Sequence, residues 1–404
     1  MNRRVVILGG GVAGLEALLA VRDLAGDRAE VTVVASDPDF VYKPMMVEEP
    51  FDLAPAEQYA LAPLTEELGA GFVQRAVSRV HPDRHAVELE DGSDLAYDFL
   101  VVCAGGRFRA AFADATTFPS GEPLRVNELF GAGEGKGRVA FVVPPGVTWV
   151  LPIYEIALMA QRRAVELRLA DVELTVFTPE EAPLAIFGPV ASAAVGDVLS
   201  ARGIKVETNA FVHETDEAEL IVTPGDRRIA ADAVIALPTM DGPAIGGLPA
   251  DDGGFIPIDE HARVPGVDDV YAAGDGTTFP VKQGGLATQQ ADAAAAHIAH
   301  RLGAAIAVEP FRPVLRGKLL TGEESIHLRA DVAGGGGEGE ATLDALWWPP
   351  QKISGRYLAS WIAGSEPQSE PEPPGRSLDV EVALPHEWHR EPMALDPYGS
   401  PPDA

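Results

Sequence analysis

Cysteine is almost absent from this 404-residue chain, which contains only Cys103. A single cysteine excludes an intrachain disulfide, and with it both a disulfide framework and a redox-active dithiol within one chain. Cys103 follows the apolar run 100–102, so we expect it at the end of a buried strand, where a thiol behaves as a small hydrophobe. Nothing near it in the sequence indicates an activated thiolate, and we do not predict a nucleophilic role.

Basic side chains are also scarce, since 31 lysines and arginines stand against 61 aspartates and glutamates and leave a formal net charge of -30. Such a charge repels nucleic acid and anionic membrane surfaces, so we predict neither as an electrostatic partner. It favours an acidic surface that keeps the protein in solution.

Long apolar runs are missing too. No stretch reaches the roughly 18 residues that a transmembrane helix needs, and we predict no such helix. Arg3-Arg4 stands before an apolar run, as in a twin-arginine export signal, but glycines and Glu16 interrupt that run. The sequence therefore predicts a cytoplasmic protein with an intact N-terminus.

The first sixteen residues carry the motif around which the chain is organised. Residues 4–8 are typical of a buried parallel strand and residues 15–21 of a helix. Between them, Gly9, Gly11 and Gly14 fill the fixed positions of G-x-G-x-x-G. These glycines permit the turn, the approach of a pyrophosphate and the packing of helix on strand, and the phosphates lie at the helix N-terminus. The motif predicts a dinucleotide site and leaves open which dinucleotide binds there.

The next strand, residues 30–34, has the spacing that a βαβ unit requires. In a dinucleotide fold this strand usually ends in an acid that binds the ribose, but Ala35 stands at that position. Ser36 or Asp37 could bind ribose instead. The loop 39–46, which includes Lys43, carries large side chains and is consistent with a wall over a cofactor or with a packed surface loop.

Three further strands are predicted at 72–80, 85–90 and 95–102, with a tight turn at Asp91-Gly92. The last strand runs into a turn of small residues at 103–106.

A second βαβ pattern consists of a strand at 137–143, a helix at 153–164 and a strand at 173–177. Its loop keeps only Gly146, while Trp149 and Pro152 stand where a phosphate needs close, donor-rich backbone. We predict a second Rossmann-like domain whose motif does not demonstrate tight NAD binding. Later, the segment 269–276 ends a buried strand beside a ligand, and 286–302 is an alanine-rich helix.

Three motifs together resemble those of the two-dinucleotide-fold flavoproteins: the N-terminal G-x-G-x-x-G, the turn at 100–106 and the Val-Tyr-Ala-Ala-Gly-Asp of 270–275. Within that superfamily the chain looks most like sulfide:quinone oxidoreductases and type II NADH dehydrogenases, over about residues 1–315. The resemblance implies an α/β fold with two Rossmann-like domains and a noncovalent FAD. The predicted parts are an FAD-binding domain at 1–112 and 253–312, a second NAD(P)-like domain at 113–252 and a C-terminal segment at 313–404.

The resemblance also implies a cofactor site. The three glycines of the first loop would hold the FAD pyrophosphate, and Asp275 would bind its ribityl-phosphate region. Lys282, before a helix whose N-terminus faces the isoalloxazine, would stabilise negative charge on the flavin. The cofactor-binding candidates are Gly9, Gly11, Val12, Ala13, Gly14, Ser36, Lys43, Ala104, Gly105, Gly274, Asp275, Gly285 and Leu286.

Two departures limit the resemblance. Sulfide:quinone oxidoreductases use cysteines, one of them in the segment that aligns with 147–155, where this chain has Thr148 and Trp149. Neither a two-cysteine persulfide route nor disulfide reduction is therefore predicted. Type II NADH dehydrogenases carry a glutamate early in the second crossover helix, which Glu155 matches. Glu155 could therefore act in proton transfer or contact nicotinamide. The alternative is an ordinary polar position in the first turn of a helix.

The remainder of the chain is less regular. We predict a flexible loop at 334–337 and a Pro/Glu/Ser-rich linker at 365–375. His386, Trp388 and His389 have no spaced metal-ligand partners, so we predict no metal site. An aromatic and basic stripe at helical spacing either docks peripherally on a membrane or covers a quinone channel, or else packs against the flavin domain. Its residues are Lys352, Ile353, Arg356, Tyr357, Trp361 and Ile362.

The sequence thus predicts an FAD-dependent oxidoreductase with Glu155 and Lys282 at its reacting face. It would move two electrons from a reduced small-molecule donor, with NAD(P)H as one candidate, to an acceptor such as a quinone. One alternative is an NAD(P)H-dependent flavin reductase or diaphorase with soluble acceptors. Another is a flavin-binding protein without turnover, or a partner subunit.

Overall fold

The computed structural model describes residues 2–119, 130, 136–169, 171–215, 219–331 and 339–367. The predicted loop at 334–337, most of the predicted linker and the histidines of the tail lie outside these residues.

Short strands alternate with a few long helices. The first third of the chain holds β1 (Arg3–Leu8), α1 (Val12–Ala25), β2 (Ala29–Ala35), β3 (Asp39–Val41), β4 (Gln58–Ala60), α2 (Leu61–Glu67), β5 (Gly71–Gln74), β6 (Val77–His81), β7 (Ala86–Leu89), β8 (Asp94–Ala96), β9 (Phe99–Val102) and β10 (Arg107–Arg109). The middle holds β11 (Thr116–Thr117), β12 (Lys136–Val142), α3 (Leu151–Glu166), β13 (Asp171–Phe177), α4 (Pro189–Ala201), β14 (Lys205–Glu207), β15 (Phe211–Glu214), β16 (Leu220–Thr223), β17 (Arg227–Arg228), β18 (Ala233–Ala236) and β19 (Thr239–Asp241). The last part holds β20 (Val270–Ala272), α5 (Gly284–Arg301), β21 (Val314–Leu319), β22 (Ile326–Asp331), β23 (Glu340–Thr342) and α6 (Leu358–Ile362).

The first sheet is parallel, with the strand order β20-β9-β1-β2-β5. Val5 to Leu8 of its central strand are at most 1% exposed. Both faces are covered: α1 and α5 pack on one face through alanines and leucines, and an apolar cluster that includes Val80 and Val87 fills the other. A strand buried on both faces is continuously apolar, which is why the predicted parallel strand is confirmed here.

A second parallel sheet has the order β11-β18-β12-β13-β14 and packs against α3 and α4. The predicted fold class, α/β with two Rossmann-like sheets, is confirmed. The chain leaves the first sheet after β9 and returns to it only with β20, so the second sheet is inserted into the first unit in sequence. The predicted domain boundaries stay predictions.

Two predicted strands are wrong because each one spans a change of sheet. The predicted strand at 72–80 is split into β5, which joins the parallel sheet, and β6, which joins an antiparallel meander with β7 and β8. The predicted strand at 95–102 is likewise split into β8 and β9. Asp98 marks this second break, where its carboxylate accepts a hydrogen bond from the backbone N–H of Arg4. Neither break contains glycine or proline, so the sequence gives no turn signal there.

The C-terminal stripe at helical spacing is mostly not helical, since only Leu358–Ile362 forms a helix and Pro349, Pro350 and Gly355 precede it. Its side chains pack inward: Ile353 is 4% exposed and Tyr357 3%. The packing alternative therefore describes these residues. Across the described ranges, no helix combines the length and the apolarity that crossing a bilayer requires.

Glu16, a fully buried residue of α1, anchors this C-terminal segment. Its two carboxylate oxygens accept hydrogen bonds from the backbone N–H groups of Tyr357 (2.8 Å) and Leu358 (2.7 Å). Burial raises the pKa of Glu16, while these bonds and a contact with Asp292 oppose the rise.

Candidate functional site

The loops that follow β1, β9 and β20 meet at one edge of the first sheet. Because β9 lies between β1 and β20 and all three strands are parallel, their carboxyl ends are neighbours. The helix after β1 crosses towards β2, whereas β9 lies on the other side of β1, so this edge is a topological switch point. Ligands of open α/β sheets bind in the crevice at such a point.

The geometry of the first loop requires glycine at two positions. Gly9 has a φ of +110°, and a Cβ atom added there would lie 2.1 Å from the carbonyl oxygen of Cys103. A Cβ atom on Gly14 would lie 1.9 Å from the carbonyl oxygen of Gly9. These close approaches hold the loop against α1 and the neighbouring strand end.

Gly11, the N-cap of α1, has open space beside it. A Cβ atom added there would meet no atom within 4 Å, and no side chain caps the helix. The backbone N–H groups of Val12 and Ala13 begin the first turn, which contains no acidic residue. An open helix N-terminus of this kind fits the pyrophosphate of a dinucleotide.

The turn after β20 forms another part of this crevice. The backbone N–H of Gly274 donates to Oε1 of Gln290 in α5 at 2.7 Å, and a Cβ atom on Gly274 would lie 3.2 Å from that of Ala13 in α1. Asp275 follows, and burial raises the pKa of its carboxyl, whereas the charges of Lys282 and Lys43 lower it. The structure thus brings both helices and the predicted ribityl-binding residue to the same crevice.

The remaining candidates lie at the ends of strands or at the start of a helix. Ala104 and Gly105 follow β9, Ser36 is exposed just beyond β2, and Gly285 and Leu286 lie in the first turn of α5. Their contacts with a cofactor stay predictions.

The N-terminus of α5 is capped and covered. The side chain of Gln283 accepts a hydrogen bond from the backbone N–H of Leu286 at 2.8 Å. A Cβ atom on Gly284 would lie 2.7 Å from Ile353, and one on Gly285 would lie 3.2 Å from Oγ of Ser354. The C-terminal segment therefore lies directly across the first turn of α5.

Lys282 is directed at its own loop. Its Nζ donates to the carbonyl oxygens of Thr277 (2.5 Å) and Phe279 (2.9 Å) and lies 4.0 Å from the ring centre of Phe255. Burial lowers the pKa of Lys282 to about 8, with Asp275 opposing the change. The ammonium group fixes the loop after β20, and its predicted action on the flavin stays a prediction.

Glu155, the fifth residue of α3, forms an ion pair that the sequence did not indicate. Both of its carboxylate oxygens lie 2.5 Å from Nζ of Lys352, and Oε1 also accepts the backbone N–H of Leu320 at 2.7 Å. The side chains are 0% and 6% exposed. Burial raises the pKa of Glu155 and lowers the pKa of Lys352, and each partner opposes the shift of the other. Burial disfavours the two charges that their mutual attraction favours, so the two effects oppose each other in this pair.

Another carboxyl, that of the partly buried Glu180, lies after β13. The hydroxyl of Tyr154 donates to Oε2 of Glu180 at 2.7 Å, and the hydroxyl of Thr178 donates to the same oxygen at 3.0 Å. Burial raises the pKa of Glu180 to about 7 despite these bonds. Glu180 stands two residues beyond Thr178, the first residue after β13.

Replacing Glu180 by glutamine should flatten the pH dependence of stability between about pH 5 and about pH 8. The pKa of Glu180 rises from 4.5 to about 7 in the folded protein, which therefore binds more protons than the unfolded chain between these values. The stabilisation is complete below the unfolded pKa and is lost as the pH rises through the folded pKa, by up to about 3 kcal/mol. Thermal unfolding across this range measures it. The control is the glutamine variant of the exposed Glu181. If stability changed with pH equally in the Glu180 variant and in the wild type, the raised pKa assigned to Glu180 would be contradicted.

Comparison with known proteins identifies a family and several similar proteins. Residues 3–299 match the family described as pyridine nucleotide-disulphide oxidoreductase. The chain is 24% identical over 266 residues to the sulfide-quinone reductase of Aquifex aeolicus (strain VF5), a match that covers 61% of this chain and 60% of that protein. It is 26% identical over 334 residues to the ferredoxin reductase component of the chlorobenzene dioxygenase of Cupriavidus sp. (strain PS12), covering 76% of each.

Among solved structures, the sulfide:quinone oxidoreductase of the hyperthermophilic bacterium Aquifex aeolicus superposes with a TM-score of 0.76 at 21% identity. The superposition covers 84% of this chain and 86% of that one. At this identity the likeness concerns the fold, and it agrees with the two parallel sheets.

Proposed function

The chain belongs to the pyridine nucleotide-disulphide oxidoreductase family, and from that premise we propose that it passes two electrons from a reduced donor to an acceptor that also takes up protons, such as a quinone. It is an oxidoreductase whose cofactor is FAD. When bound, FAD supplies the two-electron chemistry, and the protein supplies position and proton handling.

The ion pair of Glu155 and Lys352 supports a proton-taking acceptor. Reduction of a quinone consumes two protons with its two electrons, whereas an iron–sulfur protein takes electrons alone. Lys352 precedes Ile353, which lies against Gly284 in the first turn of α5. Lys352 is therefore the sequence neighbour of the residue that packs on the turn predicted to face the isoalloxazine. In this proposal Glu155 would hold the proton that the acceptor receives.

Cysteine chemistry has no part in this proposal. Cys103 is buried behind the first loop, and burial raises the pKa of its thiol to about 12. The thiolate that attacks sulfur or disulfides is therefore unavailable at neutral pH. This agrees with the single cysteine of the sequence.

A stopped-flow experiment with Glu155→Gln tests the proposal. The FAD-loaded protein is reduced with dithionite and mixed without oxygen with a short-chain ubiquinone, while the return of flavin absorbance is followed. Glutamine keeps the size of Glu155 but cannot hold the proton, so we expect reoxidation to slow by roughly two orders of magnitude. Reoxidation by ferricyanide, which takes electrons without protons, should keep its rate.

Glu166→Gln, at the exposed end of the same helix, is the matched control and should behave as the wild type. Equal quinone rates in the wild type and Glu155→Gln would remove Glu155 from the reaction. A wild-type protein whose reduced flavin is not oxidised by quinone would remove the acceptor class.

A further inference from the structure

The second Rossmann-like sheet is where a family named for pyridine nucleotides would bind NAD(P)H, and its residues do not fit that ligand. We infer that this chain does not take up NADH or NADPH and that its FAD is reduced by a donor without a nicotinamide. The inference rests on the proposed function only in assuming that the protein takes electrons from some donor.

Prolines remove three backbone donors from the loop between β12 and α3. Pro144, Pro145 and Pro152 lack a backbone N–H. Of the remaining groups, the N–H of Val147 donates to the carbonyl oxygen of Pro144 at 3.3 Å, and that of Ile153 donates to Val150 at 3.1 Å. Three N–H groups that a loop without proline would offer to a phosphate are thus missing, and two others are already bonded.

The N-terminus of α3 is also buried, in contrast to that of α1. Gly11 of the first loop is exposed and adjoins empty space, whereas Val150, the N-cap of α3, is 5% exposed and Leu151 is 2% exposed. Both side chains belong to the main apolar core. The helix dipole that attracts phosphate in one domain is covered by hydrocarbon in the other.

Two neighbours of this loop fix it in place. The hydroxyl of Thr148 donates to the carbonyl oxygen of Pro280 at 2.6 Å, which ties the loop to the one after β20. The indole of Trp149 packs on the ring of Phe187, with ring centres 5.9 Å apart. Opening a path for a nicotinamide here would break both contacts.

The first acid after β13, at the adenosine end, is already bonded within the protein. Glu180 is the first carboxylate after β13, where ribose hydroxyls would be bound. It already accepts the hydroxyls of Tyr154 and Thr178 within the protein. Ribose binding would have to displace both.

Energy transfer from tryptophan to NADH tests the inference without turnover. Trp149 lies in the loop itself, so NADH bound there would quench its emission near 340 nm and gain fluorescence. We expect no saturable transfer up to about 1 mM NADH, the range where binding free energy falls to about 4 kcal/mol. Saturable transfer that is lost in Trp149→Phe would overturn the inference.

An anaerobic titration separates this inference from the proposed function. NADH and NADPH should leave the flavin absorbance of the FAD-loaded protein unchanged, while dithionite should bleach it. Bleaching by either nicotinamide would overturn the inference but leave quinone reduction intact. Dithionite-reduced protein that fails to reduce quinone would overturn the proposed function, yet unchanged absorbance with nicotinamides would still support this inference.

Discussion

Replacing Lys352 by methionine should lower the free energy of unfolding of the FAD-loaded protein by about 3–5 kcal/mol at neutral pH. The substitution leaves the fully buried carboxylate of Glu155 with one remaining partner, the backbone N–H of Leu320. An uncompensated buried charge is far more costly than the loss of an ordinary contact. Chemical denaturation followed by circular dichroism measures the loss.

The pH dependence of this loss has a defined sign. Without Lys352, burial holds the pKa of Glu155 further above its ordinary value. The folded variant therefore gains relative stability as Glu155 is protonated at low pH and loses it as the pH rises through the folded pKa. The deficit should be larger at about pH 8 than at about pH 5.

The double variant Glu155→Leu/Lys352→Met is the control. It removes both charges together and should recover most of the stability, because apolar replacement of a buried pair is often neutral. It should nevertheless keep the slow quinone reoxidation of Glu155→Gln. A single variant as stable as the wild type, or a double variant as unstable as the single, would show that the pair is not a buried charge pair.

Gly11→Ala should reduce FAD affinity by roughly two orders of magnitude while leaving the stability of the apoprotein unchanged. A Cβ atom added at Gly11 would contact no atom of the protein within 4 Å, so we expect the fold to stay unchanged. It would occupy the space beside the N-terminus of α1 where the pyrophosphate is expected. Fluorescence titration of apoprotein with FAD and thermal unfolding without FAD measure the two quantities.

Gly14→Ala provides the contrast. Its Cβ atom would lie 1.9 Å from the carbonyl oxygen of Gly9, so this variant should lose apoprotein stability as well as FAD. If Gly11→Ala bound FAD as the wild type does, the pyrophosphate would have to lie elsewhere.

The part of the site that the sequence predicted is local in the chain. The first loop is specified within six residues: Gly9 and Gly14 are required by close backbone neighbours, and Gly11 leaves open space at the N-terminus of α1. Its grouping with the turns at Gly105 and Gly274 came from the resemblance to two-dinucleotide-fold flavoproteins, and the structure explains it because the carboxyl ends of parallel strands share an edge.

The rest depends on contacts that no local pattern records. Glu155 and Lys352 are 197 positions apart, and their ion pair exists only because the C-terminal segment lies across α5. In the sequence, Lys352 looked like one residue of an amphipathic stripe, since the helical spacing of its neighbours is the same whether they pack in a helix or in an irregular segment. The same limit explains the two strands that were predicted across a change of sheet: alternation of apolar residues does not say which sheet a strand joins.

The anchoring of the C-terminal segment by Glu16 has a consequence for how the protein is made. Residues 16 and 357 are separated by 341 positions. During synthesis the carboxylate of Glu16 can therefore accept these hydrogen bonds only after nearly the whole described chain has been made. Until then a charge lies on the inner face of the helix that begins at the FAD loop, and burying it without those partners is costly. The N-terminal unit therefore reaches its final packing only after residues 357 and 358 have left the ribosome. Closure of the long loop between residues 16 and 357 is a slow, late step of folding.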